Sequence, residues 1–294
     1  MQINTKILAK KFKYLVPNTL DEALNLLNVY KDKQLKIIAG GTDLLVKMKT
    51  TDLKVDYLMS IKGIEELDYI DTEKGLKIGA VTSLSYIVKE KKVKAKYSAL
   101  YESIHSIAAP AVRNMGTVAG NLGNASPAAD TVPPLLTYQA EVILKSKRGK
   151  RKVLVEDLIT GVGKTLMEPD ELICEIIIPE LYKNSGSAFL KKSRVKADLS
   201  KINCAVYIIR EKNICKDCRI AFGSVGIKVV RAEKTENLLK GKAIDTELIN
   251  RAASEASLEI KPIDDIRSTA DYRKTMSRTL LKNCINLAWL RAVN

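Results

Sequence analysis

Residues 111–131 have the sequence AVRNMGTVAGNLGNASPAADT, a segment with little side-chain bulk. It contains three glycines, Gly116, Gly120 and Gly123, set among alanines and other small residues. Its apolar side chains do not recur at the 3.6-residue period, and β-branched and aromatic residues are scarce. The pattern therefore predicts a bare loop rather than a helix or a strand. Because glycine has no Cβ, a ligand can approach the backbone amides of such a loop closely.

A second bare turn, Ala39-Gly40-Gly41-Thr42-Asp43, follows the apolar pair Ile37-Ile38. Two segments of small residues that point their N–H groups at one anion would suit a diphosphate. A plain tight turn without a ligand is the alternative for either segment, and Asp43 and Asp130 would then simply cap the turns that follow them.

The composition bounds the class of protein. The chain has 294 residues, of which 46% are hydrophobic and 28% charged, which is typical of a soluble globular protein of about two domains. No apolar run approaches the roughly 20 residues needed to span a bilayer, and the first residues contain no apolar signal segment. Five cysteines form no secreted disulfide pattern. These features predict a cytoplasmic protein with reduced thiols.

The formal net charge of +15 raises the question of a nucleic-acid partner. The lysines are scattered, with clusters at 10–13, 89–96 and 145–152 separated by apolar stretches. Only 5% of the residues are aromatic, which leaves few side chains on which bases could stack. We therefore expect no nucleic-acid function. A lysine-rich compositional bias or an acidic partner subunit explains the charge equally well.

Apolar periodicity and turn signals predict a mixed α and β chain. Thr19 and Glu22 form a capping box ahead of a helix over 20–30. The other N-terminal elements expected are a strand at 54–61, a hairpin of 67–70 with 76–80, a helix capped by Thr82 that runs to Glu90, a helix over 97–108, a hairpin of 141–144 with 152–155 and a strand at 172–178.

The segment from Pro179 to Ser187 is polar and contains glycine and serine, which is typical of a linker. Beyond it we expect adjacent strands at 202–210 and 218–224, and then helices over 231–239, 246–258 and 272–291. Strands followed by helices favour a compact α+β domain. The expected division is an N-terminal domain at 1–178 with lobes of about 1–61 and 62–178, a linker at 179–187 and a C-terminal domain at 188–294.

Three other signals have structural interpretations. Gly163-Lys164-Thr165 resembles the end of a P-loop, but Leu158 stands where that motif needs a glycine, so we expect a surface turn. The pair Cys215 and Cys218 lacks a second pair at zinc spacing and is expected as ordinary thiols on a hairpin turn. His105 is expected in the middle of a helix in a structural role. The chain shows no catalytic triad, carboxylate pair or metal cluster.

With both glycine segments and the linker in order, the chain resembles the FAD-binding medium subunits of the molybdenum hydroxylases, the family of xanthine dehydrogenase, nicotinate dehydrogenase and carbon monoxide dehydrogenase. The family motifs AGG-T/H-D/S and IRN-x-GT-x-GGN-x-x-x-x-SPAAD correspond to Ala39–Asp43 and Val112–Asp130. The resemblance continues through Thr160–Thr165, Pro169–Ile173, Ala188–Lys191 and Asp271–Arg273. It thus covers essentially the whole chain in order.

The resemblance implies an α+β fold: a two-lobed FAD-binding domain of the vanillyl-alcohol-oxidase/PCMH type, followed by a smaller α+β domain of antiparallel sheet and helices. It also implies which residues bind the cofactor FAD. The first side of the diphosphate would be wrapped by Ile38, Ala39, Gly40, Gly41, Thr42 and Asp43. The other side would be closed by Thr117, Gly120 and Asn121.

For the rest of the cofactor, the resemblance implies that Asp130 hydrogen-bonds the ribityl or nearby sugar hydroxyls. Ile107, Ala108 and Ile173 would pack against the ring surfaces. Lys191 would lie close to the isoalloxazine and favour negative charge on the reduced ring, with a plain surface charge as the alternative. One position departs from the family pattern, because Ala119 replaces the first of two paired glycines. Its methyl group is tolerable only if the residue keeps φ below zero.

The function implied is that of a xanthine dehydrogenase-like electron-transfer subunit, which passes electrons from 2Fe–2S clusters through FAD to NAD or another acceptor. The implied partners are a large subunit with the molybdenum cofactor and a small subunit with the 2Fe–2S clusters, in a heterotrimer that can dimerise. A free-standing FAD-dependent oxidoreductase of the same superfamily is the alternative. The single histidine lies outside both glycine segments, which disfavours a histidyl-flavin link in that alternative.

Overall fold

The first lobe contains a three-stranded parallel sheet. The computed structural model describes residues 11–293. Of the N-terminal residues assessed above for a signal segment, 1–10 therefore lie outside the described part. The elements of this lobe are β1 (Lys13–Leu15), α1 (Leu20–Val29), β2 (Leu35–Ile38), α2 (Leu44–Thr50) and β3 (Tyr57–Ser60). The strand order is β1-β3-β2, with both neighbouring pairs parallel. The predicted cap of α1 is confirmed, since Thr19 Oγ1 accepts from the Glu22 N–H at 3.2 Å.

The second lobe contains a five-stranded antiparallel sheet. Its first elements are a 3₁₀ turn (Glu65–Leu67), β4 (Ile70–Asp71), β5 (Leu76–Gly79), α3 (Leu84–Ile87), α4 (Lys91–Lys96), α5 (Ser98–His105), α6 (Pro110–Met115), α7 (Val118–Asn124) and α8 (Val132–Thr137). Its remaining elements are β6 (Glu141–Ser146), β7 (Gly149–Leu154), α9 (Val155–Leu158), β8 (Ile159–Gly161), β9 (Lys164–Thr165) and β10 (Leu172–Ile178). The strand order is β4-β5-β10-β6-β7. The predicted hairpin of 141–144 with 152–155 is confirmed as β6–β7. The hairpin predicted at 67–70 with 76–80 forms as β4–β5, but its first strand is shifted to Ile70–Asp71, and Leu67 ends the 3₁₀ turn.

The prediction of a bare loop at 111–131 is wrong, because α7 and all but the first residue of α6 lie within it. Thr117 caps α7, and its Oγ1 accepts from the Gly120 N–H at 2.9 Å. The buried residues Val118, Ala119 and Leu122 lie on one face of this helix. That face packs in the main core near β10, and its burial outweighs the low helix propensity of glycine. Small side chains had hidden the helical period.

Three local predictions also need correction. The helix expected from Thr82 to Glu90 is capped by Ser83 and ends at Ile87, whereas the Thr82 hydroxyl bonds the Tyr69 backbone. His105 is the last residue of α5 and is exposed, stacked on Tyr101 at 5.8 Å between ring centroids. Gly163 makes the predicted turn, between β8 and β9, with φ +65°.

The C-terminal part is a four-stranded antiparallel path with three helices. Its elements are β11 (Ser185–Lys192), β12 (Ile202–Glu211), β13 (Ile214–Gly223), β14 (Val230–Arg231), α10 (Glu233–Leu239), β15 (Lys242–Ala243), α11 (Thr246–Glu259) and α12 (Ala270–Arg291). The strand order is β11-β12-β13-β14, and β15 also pairs with β13. Cys215 and Cys218 lie buried within β13 and not on the predicted turn. The β12–β13 pairing shifts register between Ile209 and Arg210, so a bulge lies in β13 between Cys215 and Cys218.

The C-terminal sheet is buried on both faces. One face carries Phe189, Tyr207 and Ala221, which join the core of the second lobe. The other face carries Val206 and Phe222, which pack with α10, α11 and α12 in a second core. The α+β fold class is confirmed. No helix within residues 11–293 has the length and apolarity needed to cross a membrane.

Candidate functional site

The two glycine segments predicted from the sequence lie against each other. A Cβ on Gly40 would stand 2.7 Å from the carbonyl carbon of Met115 and 2.9 Å from the Cα of Gly116. Such distances are too short for a real side chain, so only glycine permits this approach. A second link lies beside it, where Lys47 Nζ of α2 donates to Asn124 Oδ1 of α7 at 2.5 Å. The first lobe and α7 therefore form one continuous surface.

The first segment presents backbone donors that have no partner. The N–H groups of Gly40, Gly41 and Thr42 donate no hydrogen bond to any acceptor in residues 11–293. Gly41 has φ +72°, a left-handed conformation that glycine adopts without strain. Asp43 precedes α2 but makes no capping bond with its side chain. Three unpaired amides in a partly exposed turn are the donor set that binds the oxygens of an anion.

The second segment is organised by the first turn of α7. Gly120 is exposed, and a Cβ there would meet only Thr117 Oγ1, at 3.0 Å. Asn121 Oδ1 accepts from the Thr131 hydroxyl at 2.6 Å, which ties α7 to the end of the segment. Ala119 is helical and does not have a positive φ, so its methyl group causes no backbone strain at this position. That methyl group is buried in the core rather than exposed on the surface of the segment.

A strained turn follows α5. Ala108 has φ +41°, a left-handed conformation that is unfavourable for a residue with a Cβ. Arg113 holds this turn, since its NH1 donates to the carbonyl oxygens of Ile107 at 2.7 Å and Ala108 at 2.9 Å. Ile107 packs partly buried against the core. Sequence reasoning did not single out Arg113, although it lies within the matched family motif.

Lys191 and Asp130 form a buried ion pair between the two parts of the chain. The Lys191 ammonium and Asp130 Oδ2 are 3.1 Å apart, and both side chains are 6% exposed. Lys191 also donates to the carbonyl oxygens of Ser106, at 2.8 Å, and Asp198, at 3.1 Å. An ammonium group has three donors, and all three are thus used within the chain. Lys191 therefore has no N–H donor left for a ligand, and its positive charge is largely compensated by Asp130.

Asp130 has further donors on its other oxygen. Its Oδ1 accepts from Ser200 Oγ at 2.5 Å and from Asn203 Nδ2 at 2.7 Å. Ser200 and Asn203 are fully buried, and sequence reasoning missed both of them. The one available signal was the position of Asn203, a lone amide in the apolar run of β12.

Ile173 lies apart from these groups, buried at 4% exposure in the core beneath α7. Two ion pairs hold the turn that precedes it. Hydrogen bonds from Arg148 lower the pKa of Asp170, and those from Arg151 lower the pKa of Glu171. Both carboxylates are nearly buried, so these pairs fix the turn to the β6–β7 hairpin.

The structure thus brings most of the predicted residues into one connected region. Gly40 touches the second segment, that segment leads through Thr131 to Asp130, and Lys191 joins Asp130 to the carbonyl of Ser106 beside Ile107. Within residues 11–293, no group of three or more His, Cys, Asp or Glu side chains could hold a metal ion. The five cysteines are free and buried. Unpaired amides at one end and polar side chains at the other suit an extended ligand with a diphosphate.

Comparison with known proteins supports this interpretation. Residues 10–181 match the family described as FAD binding domain in molybdopterin dehydrogenase, and residues 187–288 match the CO dehydrogenase flavoprotein C-terminal domain. The carbon monoxide dehydrogenase medium chain of Hydrogenophaga pseudoflava is 32% identical over 96% of this chain and 98% of its own length. The nicotinate dehydrogenase FAD-subunit of Eubacterium barkeri is 33% identical over 85% of each chain.

A solved structure of carbon monoxide dehydrogenase from Hydrogenophaga pseudoflava superimposes with a TM-score of 0.93, at 32% identity, and covers 97% of this chain and 99% of its own. Sequence and fold agree over both parts of the molecule. The chain belongs to the FAD-binding medium subunits of the molybdenum hydroxylase family.

Proposed function

We propose that this chain is the FAD-containing electron-transfer subunit of a xanthine dehydrogenase-like molybdenum hydroxylase. In this proposal it receives electrons from 2Fe–2S clusters of a small subunit and delivers them to NAD or another acceptor. FAD, when bound, supplies the redox chemistry. The substrate is oxidised in a large subunit that carries the molybdenum cofactor. The relatives are named for substrates as different as carbon monoxide and nicotinate. This range supports the proposal that the large subunit, and not this chain, determines the substrate.

The contact between the two glycine segments carries this proposal, because Gly40, which lies among the unpaired amides of Gly40, Gly41 and Thr42, touches Met115 and Gly116 just before α7. We propose that Ile38, Ala39, Gly40, Gly41, Thr42 and Asp43 hold the diphosphate from one side. Thr117, Gly120 and Asn121 hold it from the other side, and Asp130 accepts from a ribityl or sugar hydroxyl. Ile107, Ala108 and Ile173 shape the ring site, and Lys191 lies near the isoalloxazine.

The same proposal divides the chain at 1–178, 179–187 and 188–294, and it places the protein in the cytoplasm. β10 ends at Ile178 and β11 begins at Ser185, so the change of sheet falls within the proposed linker. Among the described strands, none of the N-terminal part pairs with a strand of the C-terminal part, but the ion pair between Asp130 and Lys191 joins the two parts.

The first test is the absorption spectrum of the purified chain, with the released cofactor identified after heat denaturation. We expect flavin bands and free FAD. Asp130→Ala and Gly120→Val should both lower the flavin content. Gly123→Val is the matched control, because it places the same side chain in α7, where Gly123 has no other group within 4 Å, and lies outside the proposed contacts. Unchanged FAD occupancy in both site variants would refute the assignment of the site.

A second test addresses the electron-transfer role. The tagged chain is purified from its own cells, and the copurifying material is assayed for molybdenum and iron. We expect both metals, and we expect the substrate of the complex to bleach the flavin absorbance only when the metal-bearing partners are present. A chain that purifies alone with FAD and oxidises a substrate by itself would instead establish a free-standing oxidoreductase.

A further inference from the structure

A buried polar cluster lies where the C-terminal part of the chain meets the proposed flavin site. Asp130 comes from the N-terminal part, whereas Lys191, Ser200 and Asn203 come from the C-terminal part. All four side chains are at least nine-tenths buried. A carboxylate in such a place is stable only when its oxygens are hydrogen-bonded, so the partners of Asp130 decide how it is held.

The three donors divide unequally between the two carboxylate oxygens. Oδ1 accepts from Ser200 and Asn203, and Oδ2 accepts from Lys191. A carboxylate has about four acceptor positions, two on each oxygen. Oδ1 is therefore filled, whereas Oδ2 keeps one position free. The pair of donors on Oδ1 determines the rotation of the carboxylate and hence where this free position points.

Among the described residues, the Asn203 side chain makes a hydrogen bond to Asp130 alone. It lies in β12 between Ile202 and Cys204, in a strand that is otherwise apolar in this region. Its Oδ1 has no hydrogen-bond partner among the described residues, and only its Nδ2 is used, by Asp130. The strand opposite provides the room, because Gly223 pairs with Asn203 and a Cβ there would stand 3.0 Å from Asn203 Cγ. Burying an amide oxygen without a hydrogen bond costs free energy, so the presence of Asn203 here indicates that its bond to Asp130 has a role.

We propose that Ser200 and Asn203 are positioning residues for FAD binding. They hold Asp130 so that the free position on Oδ2 accepts a hydroxyl of the cofactor. The C-terminal part thereby contributes to FAD affinity through residues that do not touch FAD. This inference rests on the proposed function, because it requires Asp130 to contact the cofactor.

The experiment is a double-mutant cycle on FAD affinity, measured as the change in flavin fluorescence when apoprotein is titrated into FAD. The four proteins are the native chain, Ser200→Ala, Asp130→Asn and the double variant. In the native background, Ser200→Ala should let the Asp130 carboxylate rotate away from the cofactor. The hydrogen bond between Asp130 and the cofactor hydroxyl is then lost, and because Asp130 is charged we expect about a tenfold loss of FAD affinity. In the Asp130→Asn background, Ser200→Ala should change the affinity by less than about twofold, because the group it positions is already altered.

Two further variants keep the test decisive. Ser277→Ala is the matched control, because Ser277 is also fully buried in the C-terminal part, but its hydroxyl bonds Lys274 in α12; it should leave FAD affinity unchanged. Ser200→Cys keeps the volume with a weak donor and should reproduce the loss if the alanine variant does not fold. The positioning role is overturned if Ser200→Ala leaves the affinity unchanged or weakens it equally in both backgrounds. If Asp130→Asn alone has no effect, the proposed contact between Asp130 and FAD fails instead.

Discussion

Replacing Gly40 by alanine tests the contact between the two glycine segments. The new Cβ would stand 2.7 Å from the carbonyl carbon of Met115 and 2.9 Å from the Cα of Gly116. Carbon atoms pack at about 3.5–4.0 Å, so the two segments must separate by roughly 1 Å. Overpacking of this kind destabilises a folded protein by about 1–3 kcal/mol. Because the obstructing atoms are backbone, no side chain can rotate away to relieve the clash.

The same separation should weaken FAD binding. If it removes one amide from the diphosphate, the loss is roughly 1.5–3 kcal/mol for a hydrogen bond to a charged group. That loss corresponds to an increase in the FAD dissociation constant of roughly 10- to 150-fold. The assays are a fluorescence titration with FAD and urea unfolding of the apoprotein.

Gly63→Ala is the control for this substitution, because a Cβ on Gly63 meets no atom within 4 Å. It should leave both the stability and the FAD affinity nearly unchanged. If Gly40→Ala binds FAD as tightly as the control and unfolds at the same urea concentration, the two segments do not form one binding surface.

Three further substitutions probe two ion pairs and the space around the Asn203 amide. Lys191→Met leaves the carboxylate of its ion-pair partner buried and uncompensated, so urea unfolding should show a loss of about 3–5 kcal/mol. Gly223→Ala would place a Cβ 3.0 Å from Cγ of Asn203 and displace that amide, so a fluorescence titration should show weaker FAD binding while far-UV circular dichroism is retained. Burial alone would raise the pKa of Asp265, but hydrogen bonds from Arg273 and from two backbone amides lower it to about 2. The stability that Asp265 contributes is therefore fully present above its unfolded pKa of about 3.9 and is lost as the pH falls from there towards 2. In acid unfolding curves, Asp265→Asn should be less stable than the native chain above pH 4, and this difference should shrink towards pH 2.

The hairpins and the strands of the C-terminal sheet were predictable from sequence because their signals are local. Alternation of apolar residues and a glycine at the turn are enough to identify the β6–β7 pair. The two glycine segments were likewise identified from their own small residues and then matched to the family motifs. In each case neighbouring residues carry the information.

The helix α7 was missed for a physical reason. Glycines at 120 and 123 lower its intrinsic propensity, and its buried face consists of small side chains that a hydrophobic pattern does not register. The cap at Thr117 and burial in the core of the second lobe stabilise this helix despite its low intrinsic propensity. Tertiary packing of this kind cannot be deduced from a window of residues.

The partners of Asp130 were missed because they are remote in sequence, separated from it by between 61 and 73 residues. No local sequence pattern connects a residue of the N-terminal domain with a strand of the C-terminal domain. The family resemblance implied that Asp130 contacts the cofactor and that Lys191 lies near its ring, but it did not indicate that the two side chains form an ion pair with each other.

These contacts bear on how the flavin site works, because they bind the two parts of the chain into one body. Phe189 and Tyr207 of the C-terminal sheet are buried in the core of the second lobe, and the Arg291 guanidinium bonds Glu102 of α5 at 2.6 Å. Glu102 also accepts from the Phe189 N–H at 2.8 Å, two residues before Lys191. Exposing the two aromatic side chains alone would cost about 3–6 kcal/mol, at about 1.5–3 kcal/mol each. An open arrangement of the domains would then be populated below about 1%. The site is therefore held ready by packing, and FAD binding need not drive a closure of the domains.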